Sequence, residues 1–220
     1  MNGIYSDEDP AIVLWDDNHF EDATDREMAL FGKGYHFSLH NHRRRQRKSK
    51  QSFYYHDCRC AARALATRFR NSEISAIEIA TIMFVHEAIE DDGWTRERLL
   101  AIFGEPITST VVGLTKQPKK MFRSRYKRIM DADSILRGAT PGNPRVPIAK
   151  CLDRLDNTTD TAGLKTRDRH RLFVETRKIF IPYFDWSKEF VPQEFRPFYD
   201  GWALAIKFAC DNYFRFLALR

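Results

Sequence analysis

A histidine and four carboxylates lie together in one short stretch of the sequence. Residues 86–92 read HEAIEDD and follow a strongly apolar run, where unpaired charges are costly to bury. On a continuous helix His86 and Glu90 share one face, and the next face carries Glu87 and Asp91. Such a cluster can converge on a metal ion, which offsets the carboxylate charges and orients the imidazole. The pattern is also typical of a solvated helix end, and taken alone it favours that simpler interpretation.

Two further parts of the chain offer metal ligands. Asp153 and Asp156 lie in CLDRLDN among apolar neighbours, and His56 lies in SFYYHDC beside aromatic residues. A single histidine or aspartate in such a place is more often structural than ligating, because buried polar groups usually find hydrogen-bond partners. The residues themselves therefore leave both interpretations open.

The elements that must position these residues are helices. Apolar residues recur with helical spacing from Cys58 onward, and nothing alternates for long with the period of two that strands require. A central buried helix is predicted to begin after Ser72 or Ser75 as N-cap, with Glu78 completing a capping box after Ser75. Its middle, residues 77–89, is apolar almost all round, and Gly93 is predicted to end it. Further helices are predicted over residues 95–104, 106–114, about 122–136, 146–158, 169 to near Pro182, and from 195 onward. The predicted fold class is all-α.

Composition excludes several classes of protein. The chain has 220 residues, of which 43% are hydrophobic, so wholesale disorder is excluded. No apolar run approaches the roughly 20 residues that span a bilayer, and the N-terminus lacks the pattern of a secretion signal. Its four cysteines form no CxxC pair. We expect a cytoplasmic protein without a membrane partner.

Positive charge is concentrated in one run. Lysine and arginine exceed aspartate and glutamate by 36 − 30 = 6, and residues 43–50 read RRRQRKSK. Such a run fits a solvated loop, a nucleic-acid contact or a phosphate-binding wall. A nucleic-acid partner is the least favoured of these, because the run lacks an aromatic RNA-binding motif.

Four motifs in order resemble the HD-domain hydrolase module of the RelA/SpoT family. The first comprises His42, RKS at 47–49 and FYYH at 53–56. The second is ATIMFVHEAIED at 80–91. The third comprises FG at 103–104 and GLTK at 113–116, and the fourth is KCLDRLDN at 150–157. The likeness covers about residues 38–185.

The resemblance implies an HD-domain helical bundle at residues 36–185, between an acidic extension at 1–35 and a C-terminal helical extension at 186–220. The implied reaction is metal-dependent hydrolysis of the 3′-pyrophosphate of the alarmone (p)ppGpp, which yields GDP or GTP and pyrophosphate. The implied partner is this nucleotide substrate, and the oligomeric state stays open. Mn²⁺ is the implied cofactor, although other divalent transition metals accept the same ligand types.

The motif match assigns a role to each site residue. The implied metal ligands are His56, His86, Glu87 and Asp153. The implied catalytic acids are Glu90 and Asp91. The implied substrate-binding residues are Arg47, Lys48, Ser49 and Asn157 by motif, with Lys116 and Arg154 added by charge.

Two departures from the family pattern leave alternatives open. Glu87 replaces the aspartate of the HD pair, and Asp156 replaces a histidine. One alternative is an HD-type phosphohydrolase acting on another phosphorylated nucleotide, such as NADPH. The other is a non-catalytic alarmone-binding module in which the longer Glu87 side chain spoils the metal site.

Overall fold

The described part of the chain folds into an all-α structure. The computed structural model describes residues 14, 17–47, 51–71 and 73–218. Its α-helices are α1 (Asp25–His42), α2 (Phe53–Leu65), α3 (Ala76–Val85), α4 (Arg96–Phe103), α5 (Glu105–Leu114), α6 (Arg125–Ala139), α7 (Arg145–Thr159), α8 (Thr166–Glu175), α9 (Ile181–Ser187) and α10 (Arg196–Ala218). Only isolated β-bridges accompany the helices in these ranges, so the predicted fold class is confirmed.

The helix α3 forms the centre of the core, as its apolar sequence predicts. All its residues except Glu78 are buried, and α1 and α2 pack against it. The close approach of α1 depends on Gly34, where an added Cβ would lie 3.2 Å from the side chain of Thr81. This packing places the first turn of α2 beside the end of α3.

Half of the predicted capping box is present at the start of α3. The Ser75 hydroxyl accepts a hydrogen bond from the backbone N–H of Glu78 at 3.2 Å. The Glu78 carboxylate instead accepts one from Arg145 Nε at 2.8 Å. The tertiary ion pair between α3 and α7 therefore replaces the local return contact.

The predicted continuation of this helix to Gly93 is wrong. Ser72, the alternative N-cap, lies outside the described residues. The helix ends at Val85, and residues 86–91 form turns in which the Asp91 N–H donates to Glu87 O at 2.8 Å. Asp92 is held by His42 Nε2 at 2.7 Å and by Arg45 Nη1 at 3.1 Å. These side-chain contacts outweigh the helical preference of the segment, so the cluster 86–92 does not lie on helical faces.

The prediction that a helix ends near Pro182 is also wrong. A π-helical turn at Thr176–Phe180 leads directly into α9, which contains Pro182 in its first turn. In a regular helix the proline ring would clash with the carbonyl group four residues earlier. The wider π turn precedes the proline and lets the chain remain helical.

The second half of the core is organised around α7. The helix α10 packs against α7, and the side chains of Phe195, Tyr199 and Ile206 join the same core as α3. All four cysteines are buried with free thiols. Across the described ranges, no helix combines the length and apolarity needed to cross a bilayer. The expected boundary at residues 35 and 36 lies within α1, and the division into a domain with two extensions stays a prediction.

Candidate metal centre and substrate cleft

His56 lies in the first turn of α2 and is almost fully buried. Its Nδ1 lies 2.7 Å from Asp156 Oδ2, on α7. Because a carboxylate accepts hydrogen bonds, this contact assigns the Nδ1 proton to the Asp156 side of the ring. The Nε2 atom then faces Asp153 Oδ1, which is 3.5 Å away.

His86 caps the C-terminal end of α3 and reaches the same place from the other side. Its Nδ1 donates to the backbone oxygen of Met83 at 2.7 Å. The rings of His56 and His86 have their centroids 5.4 Å apart. Each ring thus uses Nδ1 for a hydrogen bond within the protein and leaves Nε2 for the site between them.

Asp153 completes a cluster with the two imidazoles. One ligand atom from each of His56, His86 and Asp153 lies within 4.8 Å of the other two. The second Asp153 oxygen accepts a hydrogen bond from Lys150 Nζ at 2.7 Å. Burial raises the pKa of Asp153, but Lys150 and the imidazoles more than offset this effect and hold that pKa well below its usual range. Asp153 is therefore a buried carboxylate anion.

Glu87 lies at the edge of this cluster. Its Oε1 is 3.9 Å from His86 Nε2. Burial raises the pKa of Glu87 above its usual value, although the nearby imidazoles of His86 and His56 oppose that rise. The longer side chain thus still brings a carboxylate to the position next to His86.

Three buried atoms at this point lack a hydrogen-bond partner among the described residues. They are Nε2 of His56, Nε2 of His86 and Oε2 of Glu87. An unsatisfied buried polar atom costs about 1–3 kcal/mol, and a cation held by His56, His86 and Asp153 would satisfy the two Nε2 atoms. Imidazole and carboxylate are suitable ligands for a divalent metal ion. The residues present therefore fit a divalent cation.

The two expected catalytic acids stand on the wall of the adjoining cleft, and both are ion-paired. Glu90 accepts from Arg128 Nη2 at 2.8 Å and from Lys116 Nζ at 3.1 Å. Burial alone would raise the pKa of Glu90, but these two bases lower it. Asp91 accepts from Arg45 Nη2 at 2.7 Å. Both acids line the cleft beside the metal-site residues.

The cleft has a volume of about 360 Å³ and is lined mainly by charged side chains. Among its walls are the basic residues Arg47, Lys116, Lys119, Arg125, Arg128, Lys150, Arg154 and Arg171. Four of the expected substrate-binding residues line it, namely Arg47, Lys116, Arg154 and Asn157. The other two, Lys48 and Ser49, lie outside the described residues.

The expected basic residues differ in how much of their charge is paired. Arg47 contacts Asp156 at 3.2 Å and Asp160 at 3.3 Å, and it donates to Asn157 Oδ1. Arg154 is buried, with its guanidinium carbon 3.8 Å from the centre of the Phe180 ring. No carboxylate of the described residues lies within ion-pair distance of Arg154. Stacking on an aromatic face stabilises this cation without neutralising it.

Sequence reasoning missed Lys150 and Arg128. Lys150 is buried on α7 three residues before Asp153, and burial lowers its pKa. The spacing of three on a helix was a usable signal for this pair. Arg128 lies on α6 and reaches Glu90 across 38 residues of sequence, for which the sequence carries no local signal.

A buried network behind the site was also missed. His42 Nδ1 lies 2.5 Å from Asp57 Oδ2, and the other ring nitrogen lies 2.7 Å from Asp92 Oδ2. Burial alone would lower the pKa of His42, but its two carboxylate partners raise it to about 10. The network connects α1 to α2 and to the turn after α3. It therefore stabilises the relative positions of the segments that carry His56 and His86.

Comparison with known proteins gives relatives named as GTP pyrophosphokinases or as guanosine-3′,5′-bis(diphosphate) 3′-pyrophosphohydrolases. The chain is 29% identical over 160 residues to "GTP pyrophosphokinase rsh" of Brucella melitensis, which covers 72% of this chain and 20% of that protein. It is 28% identical over 162 residues to the "Probable guanosine-3′,5′-bis(diphosphate) 3′-pyrophosphohydrolase" of Synechocystis sp., which covers 74% of this chain and 20% of that protein. The chain thus spans about a fifth of the length of these curated relatives. No protein-family model matches it.

A solved structure agrees with these relatives. It is of a protein described as a metazoan ortholog of SpoT that hydrolyzes ppGpp. It aligns with a TM-score of 0.60 and 18% identity, over 87% of this chain and 97% of that one. These similarities agree with the resemblance to the RelA/SpoT family that the four motifs indicate.

The structural match confirms the expected HD-type helical bundle. Three of the four motifs meet in space. The second motif supplies His86 from the end of α3, the first supplies His56 from α2, and the fourth supplies Asp153 from α7. Three separate elements therefore contribute to one cluster.

Proposed function

We propose that this protein hydrolyses (p)ppGpp at its 3′-pyrophosphate, releasing pyrophosphate and GDP or GTP. The observation that carries the proposal is the convergence of His56, His86 and Asp153 within 4.8 Å, at the end of a cleft rich in basic residues. The names of the relatives support a guanosine 3′-pyrophosphate as substrate. They do not favour NADPH or a purely binding role.

The proposed ligands of the metal are His56, His86, Glu87 and Asp153, and the proposed metal is Mn²⁺. A divalent cation held there supplies Lewis acidity, which favours ionisation of water and withdraws charge from phosphoryl oxygens. The Nε2 atoms of His56 and His86 and the Glu87 carboxylate are buried at the proposed site and are available as ligands. Lys150 keeps Asp153 anionic, because its ammonium group lies 2.7 Å from that carboxylate.

Glu90 and Asp91 are the proposed proton acceptors for the attacking water. A new bond forms from water oxygen to phosphorus, the bond between that phosphorus and the 3′ oxygen breaks, and the 3′ oxygen takes up a proton. In the free protein Glu90 is a weak base, because Lys116 and Arg128 lower its pKa. Substrate phosphates that engage these two bases reduce their hold on Glu90, and so make it a better base when substrate is present.

The cleft provides the remaining contacts for a highly anionic nucleotide. Arg154 is a proposed phosphate contact and follows Asp153 directly in the sequence. Its guanidinium group stacks on Phe180 and forms no ion pair within the described ranges. Arg47, with Lys48 and Ser49, is proposed to lie beside the guanine, and Asn157 beside the sugar.

We also propose residues 36–185 as the hydrolase domain, with extensions at 1–35 and 186–220. The proposed location is the cytoplasm, where thiols stay reduced.

The test is turnover of purified protein with ppGpp, followed by chromatography of nucleotides and an assay for pyrophosphate. We expect equimolar GDP and pyrophosphate in the presence of Mn²⁺, and loss of both products in His86→Ala and Asp153→Ala. Circular dichroism of the variants checks that the helices remain. Absence of product with wild-type protein across Mn²⁺, Mg²⁺, Co²⁺ and Zn²⁺ would exclude the reaction. Metal analysis of protein as purified tests the choice of Mn²⁺.

A further inference from the structure

One carboxylate beside the proposed metal site has no assigned role. Asp156 is fully buried on α7, and its Oδ2 lies 2.7 Å from Nδ1 of His56. The motif of the family has a histidine at this position. An imidazole there carries no fixed negative charge, so this chain presents a different partner to His56.

Three arginines surround the same carboxylate. Arg59 contacts both oxygens, with Nε at 2.7 Å from Oδ1 and Nη2 at 2.8 Å from Oδ2. Arg63 Nη1 lies 2.7 Å from Oδ1, and Arg47 Nη1 lies 3.2 Å from Oδ2. Bidentate guanidinium contacts of this kind are geometrically specific and strong. They hold Asp156 as an anion at a fixed position, although it is buried.

Arg59 and Arg63 lie on the same helix as His56, three and seven residues further along. Asp156 lies on the same helix as Asp153, three residues away. The Asp156 carboxylate therefore joins α2 to α7 at the point where these helices supply His56 and Asp153 to the site. It contacts the imidazole on the side opposite to Asp153.

We infer that Asp156 is a positioning residue for the metal centre. It holds the proton on Nδ1 of His56, fixes the ring plane, and makes Nε2 a more basic ligand. Carboxylates that accept from the distal nitrogen of a ligating histidine act in this way in other metal sites. The arginines keep the carboxylate charged, so that it orients the imidazole instead of taking its proton. The inference rests on the proposed metal site, and not on the identity of the substrate.

A purely structural role makes a different prediction. If Asp156 served only to gather arginines between α2 and α7, any loss of that charge cluster would affect stability and leave the intrinsic metal affinity alone. Asp160 provides the matched control, because its carboxylate lies one turn further on and pairs with Arg47 at 3.3 Å and with Arg59 at 3.0 Å.

The experiment compares Mn²⁺ binding to metal-free wild type, Asp156→Asn and Asp160→Asn by isothermal titration calorimetry, with thermal unfolding of each metal-free protein. We expect Asp156→Asn to weaken Mn²⁺ binding by about 10–100-fold, and Asp160→Asn to change it less than about 3-fold. With Co²⁺ as probe, the visible absorption spectrum should shift in Asp156→Asn and stay as in wild type in Asp160→Asn. Equal Mn²⁺ affinities for wild type and Asp156→Asn, or equal losses in the two variants, would overturn the inference.

Asp156→Asn leaves Arg47, Arg59 and Arg63 without the anion that they share. A second variant covers the case in which this excess of positive charge unfolds the protein. The double variant Asp156→Asn with Arg63→Gln removes one arginine together with the carboxylate, and Arg63→Gln alone is its reference. The same 10–100-fold loss is expected relative to Arg63→Gln, and equal affinity of the two would refute the positioning role. Wild type that binds Mn²⁺ but leaves ppGpp intact refutes the proposed reaction only. Wild type that binds no Mn²⁺ or Co²⁺ refutes the metal site and this inference together.

Discussion

The buried His42 network should make the stability of this protein fall as pH rises above neutrality. His42 bridges Asp57 and Asp92, and these carboxylates raise its pKa from 6.5 to about 10. When the imidazole loses its proton it can donate only one hydrogen bond, so one carboxylate loses its contact with the ring. Arg45 still pairs with Asp92, and the Ser38 hydroxyl still donates to Asp57 at 2.6 Å. The deprotonated network therefore lacks one charge-assisted hydrogen bond between the imidazole and a carboxylate.

The direction and size of this effect follow from linkage. A pKa that is higher in the folded state than in the unfolded state means that folding favours the protonated ring. Its contribution is fully present below pH 6.5 and is lost as pH rises through about 10. Each unit of pKa shift is worth about 1.4 kcal/mol, so the shift from 6.5 to about 10 contributes about 5 kcal/mol to the free energy of unfolding. This is a large part of the 5–15 kcal/mol by which a typical domain is stable.

The measurement is urea unfolding of wild type and His42→Gln between pH 6 and pH 10. Urea is preferred because guanidinium salt screens the ion pairs. We expect the free energy of unfolding of wild type to exceed that of the variant by several kcal/mol at pH 6, and the difference to shrink steadily towards pH 10. His40→Gln, an exposed position on the same helix, should stay parallel to wild type. A difference between wild type and His42→Gln that does not change with pH would refute this reasoning.

Two other predictions concern the metal site and the packing of the core. Mn²⁺ at 100 times its dissociation constant should add about 2.7 kcal/mol to the free energy of unfolding and raise Tm by about 5–11 °C. Differential scanning calorimetry measures this shift in Tm. We expect the shift to be lost in His86→Ala and to remain in His40→Ala. Gly113→Ala should lower the free energy of unfolding by about 1–3 kcal/mol in urea, because its Cβ would lie 2.9 Å from Ala139 and 3.0 Å from Val146. Gly138→Ala, whose Cβ meets nothing within 4 Å, should instead stabilise by up to about 1 kcal/mol, and equal effects at the two glycines would contradict this account of the α5 packing.

Several features of the fold were readable in the sequence because they depend on neighbouring residues. Thr95 caps α4 through its contact with the Arg98 N–H, and Gly104 ends that helix with a φ of +79°. The buried helix α3 follows from an apolar run that no other arrangement would hide from water. Capping, glycine conformation and hydrophobic periodicity all act within a few residues, so they can be predicted without the fold.

The proximity of His56, His86 and Asp153 was predictable only through the resemblance of motifs. Taken singly, His56 and Asp153 gave no reason to expect that they lie together, since 97 residues separate them. The helical faces assigned to His86 and Glu90 were wrong, because His42 and Arg45 on α1 and in the segment after it hold the acidic turn away from the helical path. Lys116 was expected to bind substrate because of its charge, and in the structure that charge is paired with Glu90.

The sequence by itself determined most of the helices after residue 58, roughly where they begin, and which residue types are available for chemistry, whereas the helix α1 (Asp25–His42) was not predicted. Only the tertiary structure decided which nitrogen of each imidazole faces the site, which basic residues are already paired, and that Asp156 lies behind His56. The reason is that local preferences act over one or two turns of chain, whereas the charge and orientation of a side chain depend on partners that packing brings from distant segments.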